Sequence, residues 1–168
     1  MAELSKKQIK DLRKKLQKLL DEIDTTETMK EVGEFVADRV RVRTRLGYGV
    51  KKDGDERDKL KKLSKPYVER RKALKEKGEL SQKTNPRKSN LTKTGQMLDS
   101  IKTVKAGKGF AEIRPEGPRT DTDQNNEEIA QHVTDAGRPF MKLSKPEKSG
   151  VLKVIEKKIS KVVRKAKI

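Results

Sequence analysis

His132 is the only histidine in 168 residues, and there is no cysteine. A Ser–His relay or a His/Cys metal site therefore has almost no material to be built from. A lone His with no nucleophile in a recognisable pattern reads as structural or exposed, not catalytic. Asp and Glu total 26, but no pair stands out at the spacing an acid–base site needs. Two glycines around Tyr48 match neither the phosphate-binding loop nor the dinucleotide fingerprint. No catalytic residue, cofactor or metal is expected. The chemistry that remains is charge pairing. Residues 116–137 hold six Asp or Glu and one Arg, whereas residues 142–168 hold ten Lys or Arg and two Glu. Asp121, Asp123, Glu127 and Glu128 are thus candidates to meet Lys157, Lys161 and Arg164, within one subunit or between neighbours.

The whole chain is basic, with a formal net charge of +18. That suggests a polyanionic partner: nucleic acid, anionic lipid or an acidic protein face. Only two Tyr and three Phe are present, spread out, so there is no stacking platform for bases. A basic nucleic-acid-binding protein stays the second hypothesis. The chain is 42% charged and 30% hydrophobic, which predicts a modest core completed by partners or self-association. Nothing approaches the roughly 20 apolar residues of a membrane span, and no signal peptide is evident, so a soluble protein made in a cytoplasm is expected.

The elements that must position these charges follow from periodicity. Residues 5–23 carry Ile9, Leu12, Leu16, Leu19, Leu20 and Ile23 at helical spacing, with Ser5 as a cap, and predict a surface helix laid on a core. Asp24, Thr25 and Thr26 start a second helix through Met29, Val32, Val36 and Val40 to about Thr44. Arg39, Arg41, Arg43 and Arg45 follow from it and fan out as solvated or intersubunit charge. Residues 46–62 read as a loop. Leu63-Ser64-Lys65-Pro66 opens a third helix that Gly78 ends, and the same tetrapeptide at 143–146 opens the last helix. Residues 79–90 and 116–126 are polar and aperiodic, which predicts mobile loops.

Residues 91–113 form the centre: a short helix capped by Thr94 with Met97, Leu98 and Ile101 on one face, then a hairpin turning at Gly107 to Gly109. On its first strand Ile101, Thr103 and Lys105 alternate with Lys102, Val104 and Ala106. Gly137 to Met141 form a compact turn in which Phe140 is buried. The chain reads as one domain, residues 1–168: a helical pair (1–45), a central α+β part with flexible loops (46–141) and a C-terminal helix (142–168).

Three pieces in this order carry a resemblance. They are the Leu63-Ser64 helix start; Leu91, Thr94, Gly95, Leu98, Ser100 and Ile101 within LTKTGQMLDSI; and Ile129-Ala130-Gln131-His132 followed by Gly137-Arg138-Pro139-Phe140-Met141-Lys142-Leu143-Ser144 and a final helix. Over roughly residues 44–168 the chain resembles the tail-completion, or virion morphogenesis, family of tailed bacteriophages. Ile129 stands where members often carry an aromatic, and Gly137 follows His132 at a longer interval than usual. The resemblance implies an α+β subunit, helices on a small antiparallel sheet, in a ring expected to have six members. The ring would lie in the virion neck, assembled in the host cytoplasm. It would cap the tail tube and meet the head connector, with nonspecific contact to DNA in the channel and none to membrane.

Overall fold

The computed structural model describes residues 6–23, 25–51, 53–80, 84–91 and 94–165. Among them are six helices and two antiparallel two-stranded sheets, an α+β architecture. The cap assigned to Ser5 and the side chains of Ile9 and Leu12 lie outside the described residues.

Helix α2, Thr26–Arg45, is the spine. Thr25 caps it, its hydroxyl accepting from the Thr28 N–H at 3.1 Å, which satisfies one of the orphan donors of the first turn. The spacing of Val32, Val36 and Val40 lays one face on strands β3 (Ile101–Gly107) and β4 (Phe110–Pro115). Gly33 permits that approach: a Cβ there would stand 2.2 Å from the Thr103 hydroxyl. The β3–β4 hairpin turns at Lys108 and Gly109, as the glycines predict. Its alternation is broken, however. A bulge leaves Val104 without an opposite partner, so the side chains change phase halfway along β3.

The core is small. Val36, Ala37, Val40, Met97, Leu98, Ile101, Ala130 and Phe140 form it, drawn from α2, β3, the short helix α4 (Gln96–Asp99), α5 (Asn126–Asp135) and the turn after α5. Phe140 is fully buried. Two expectations change here. Thr94 does not cap α4; the cap position is Gly95, with φ +85°, and no side chain bonds to it. Residues 46–62 are not a plain loop, because β1 (Tyr48–Val50) and β2 (Arg57–Lys59) pair within them. Within residues 79–90 and 116–126, some of the described side chains are buried or bonded. Leu80 is 1% exposed and Thr84 and Asn90 are buried, while Asn126 donates from Nδ2 to the Gly117 carbonyl at 3.0 Å. Isolated large or amide side chains inside a polar stretch carry no periodicity, which is why the pattern missed them.

Helix α6, Lys145–Lys165, packs on α2 and on α1, Lys6–Ile23. The expected burial of α1 on a core is only partial. Leu16 and Leu20 are 50% and 58% exposed, and on α6 Leu152 is 59% exposed. Helix α3, Lys65–Glu76, has Pro66 in its first turn and stands apart from that pair.

Candidate functional site

Phe140, Leu98 and Ile101 of the motif segments are core. Ser100 caps the end of α4 and donates from its hydroxyl to the Met97 carbonyl at 2.9 Å. Gly137, φ +76°, ends α5 in a left-handed turn: its N–H reaches the Thr134 carbonyl and the Arg138 N–H reaches Val133. That pair of bonds is the Schellman arrangement, and it needs a residue without Cβ strain. It turns the chain so that Pro139 accepts from the Val50 N–H at 3.2 Å. His132 is exposed on α5. These residues shape the fold, and Leu91, Thr94, Gly95 and Arg138 among them also border one cavity.

Two arginines are the unusual groups: Arg43, expected from sequence to be solvated or intersubunit charge but buried against Glu147, and Arg71, which no sequence pattern marks. Arg43 is 3% exposed, and its guanidinium donates to the Glu147 carboxylate and to the Phe140 and Lys142 carbonyls. Glu147 is 1% exposed and also accepts from the Ser144 N–H at 2.7 Å, closing the first turn of α6. Burial lowers the Arg43 pKa and the neighbouring Glu147 raises it in part. This node ties α2, the turn after α5 and α6 together. Arg43 was legible in principle: it falls seven residues after Val36 and three after Val40, on the buried stripe.

Arg71 is 2% exposed. One of its nitrogens, Nη1, donates to the Lys88 carbonyl at 3.0 Å, while Nε and Nη2 have no hydrogen-bond partner. Burial lowers its pKa, countered in part by Tyr67, over whose ring it lies at 6.0 Å. It lines a cavity of about 820 Å³ between residues 61–64, α3, α4 and α5. Leu63, Met97, Ile129 and Val133 supply apolar wall, and Lys61, Lys62, Arg119 and Arg138 supply charge. Arg138 reaches across from its Nε to the Lys61 carbonyl at 3.4 Å. The motif residues Leu91, Thr94 and Gly95 also border it. Thr94 accepts from Arg119 Nη2 at 3.2 Å, and Leu91 holds φ at +54°, unusual for a leucine.

The charge partners assigned from sequence do not meet within the chain. Asp121 pairs with Arg119 at 2.8 Å, Glu127 with Arg114 at 3.4 Å, and Glu128 completes a capping box with Asn125. Asp123 is exposed. Lys157 and Lys161 instead line a groove with Glu31, Glu34 and Asp38 of α2, beside the Lys158–Glu31 ion pair. Arg164 is exposed in the last turn of α6. Among the described residues no three His, Cys, Asp or Glu gather as a metal site, and no helix is long and apolar enough to cross a membrane. No protein-family model, curated protein or solved structure matches this chain.

Proposed function

We propose that the chain is a ring-forming structural subunit, carrying no catalytic centre or bound cofactor, at the head–tail junction of a tailed-phage virion, where it caps the tail tube and meets the head connector. The observation that carries this reading is the uncovered apolar stripe on α1 and α6. Leu16 and Leu20 sit one turn apart on α1, and Leu152 and Ile159 two turns apart on α6, all exposed. Apolar side chains repeated along neighbouring helices mark a protein–protein contact. In a closed ring each subunit covers its neighbour's stripe, so a small core is completed at every interface. The motif order described above supplies the context of the junction. In the ring, Asp123 and Glu128 of one subunit face Lys161 and Arg164 of the next. Each such exposed pair contributes about 0–1 kcal/mol, repeated around the ring.

Light scattering on the eluting protein, with negative-stain images alone and with the tail tube protein, tests this. Rings of six subunits are expected, and Leu16→Glu with Leu152→Glu dissolves them. A wild-type protein that stays monomeric at all concentrations and ignores the tube overturns the reading. The net charge of +18 favours a second reading, a nucleic-acid-binding protein. That reading predicts tight oligonucleotide binding at physiological salt, with a slope set by the phosphates contacted.

A further inference from the structure

We propose that the cavity beside α3 docks a peptide segment of a partner protein that presents a carboxylate among apolar side chains. The inference does not rest on the ring reading. Its volume of about 820 Å³ lies in the range of formed ligand sites. Five cationic side chains and one carboxylate border it. Asp121 already holds Arg119, which leaves Lys61, Lys62, Arg71 and Arg138 without a carboxylate among the described residues. Arg71 is the decisive group. It lines the cavity nearly out of water, held at Nη1 by the Lys88 carbonyl, with Nε and Nη2 unused. Charged donors in a low-dielectric site gain far more from an anion than exposed ones do.

The walls choose the class of anion. Leu63, Met97, Ile129 and Val133 suit branched aliphatic or aromatic side chains on either side of the carboxylate. A nucleic-acid strand fits less well. Tyr67 is the one aromatic lining the cavity, and Arg71 lies over its ring, so bases have no free platform. Electrostatic complementarity then selects an acidic segment over a basic one.

The test uses three labelled probes: a short peptide of alternating Leu and Glu, the same peptide with Gln for every Glu, and a single-stranded oligonucleotide of equal charge. Anisotropy is measured on the full chain, on Arg71→Gln, on Leu63→Glu, and on the remote double variant Lys14→Glu, Lys18→Glu, two exposed positions of α1. The Leu/Glu peptide is expected to bind saturably, with the Gln peptide about tenfold weaker or worse. Arg71→Gln and Leu63→Glu each weaken it by about tenfold or more, and the remote variant leaves it nearly unchanged. Should Arg71→Gln fail to fold by circular dichroism, Leu63→Glu carries the test, since that residue is half-buried on an irregular segment. The proposal is overturned by absence of saturable binding, by equal affinity for the Gln peptide, or by equal loss in the remote variant. Oligonucleotide binding that Leu63→Glu abolishes overturns it as well and assigns the cavity to nucleic acid.

Discussion

The tetrapeptide Leu-Ser-Lys-Pro opens two helices, and the two starts live in opposite surroundings. At residues 143–146 the serine is fully buried, its N–H bonded to Glu147 and its hydroxyl approached by Arg57 at 3.4 Å. At residues 63–66 the serine is exposed, makes no side-chain cap bond, and its helix borders the open cavity. What differs is the residue three positions on. Glu147 returns a carboxylate to the cap backbone and recruits Arg43, whereas Tyr67 offers an aromatic ring to Arg71. One start therefore has a carboxylate for its arginine, and the other has an arginine still short of one. A local helix signal thus fixes where a helix begins, and its third residue decides whether that beginning is finished inside the chain.

Removing the carboxylate from the finished start should have the largest effect. Glu147→Ala leaves Arg43 buried and uncompensated, which typically costs about 3–5 kcal/mol. Equilibrium urea unfolding measures it. The double change Arg43→Met, Glu147→Leu is expected to be clearly less damaging than the single one, because no charge is stranded. If the single and double variants lose the same stability, the node is held by packing and not by charge. Phe140→Ala should come close behind, at about 3–5 kcal/mol, since a fully buried ring leaves a cavity at the junction of α2, α4 and α5. Calorimetry should show a fall in melting temperature on the order of 10 °C. A variant that melts like the wild type would mean that the neighbouring side chains collapse into the space.

Installing the missing carboxylate gives a smaller change of opposite sign. Tyr67→Glu places a carboxylate in the first turn of α3 and one turn before Arg71, with an expected gain of about 0.3–1 kcal/mol. It should also weaken peptide docking, because the internal carboxylate competes for the same guanidinium. Unchanged docking would separate Arg71 from the cavity's chemistry. The smallest effect belongs to exposed carboxylates on the surface. The Lys51 ammonium, hydrogen-bonded to Glu56, holds that carboxyl below its ordinary 4.5, and Lys102 does the same for Glu116. A depressed carboxyl contributes stability that is present above pH 4.5 and lost as pH falls through the lower folded value. Lys51→Ala should therefore flatten a slight loss below pH 4.5 in a stability profile, and have no effect above pH 6 on that slope.

Much of the fold was legible because it is periodic. Val32, Val36 and Val40 announce α2, and the glycines at 107 and 109 announce the hairpin. The same periodicity concealed the important polar groups. Arg43 sits among four alternating arginines, so its identity looked like solvated charge, although its phase is that of the valines. Glu147 sat in view three residues after Ser144, but its meaning depends on Arg43 arriving from another part of the chain. The bulge at Val104 could not be read, since the local alternation is regular and the missing partner belongs to β4. At the cavity, Leu91, Gly95 and Arg138 were picked out as motif residues. Arg71 was not, since one arginine on a basic helix carries no mark of burial. Distance along the chain is the common reason here: Arg43, Glu147, Val104 and Arg71 are each defined by a neighbour that sequence order does not place beside them.

That distance has a kinetic consequence at the Arg43–Glu147 node. The two residues are 104 positions apart, so their bond closes a very long loop, and the loop entropy must be met before the bond can form. Local contacts in α2 and in the β3–β4 hairpin can form first, and the guanidinium locks onto α6 late. An interaction absent from the rate-limiting barrier stabilises the native side alone. Stopped-flow measurements on Glu147→Ala should then show unfolding accelerated and refolding nearly unchanged. The node is expected to act as a latch on an already assembled chain, setting how long the protein stays folded more than how fast it gets there.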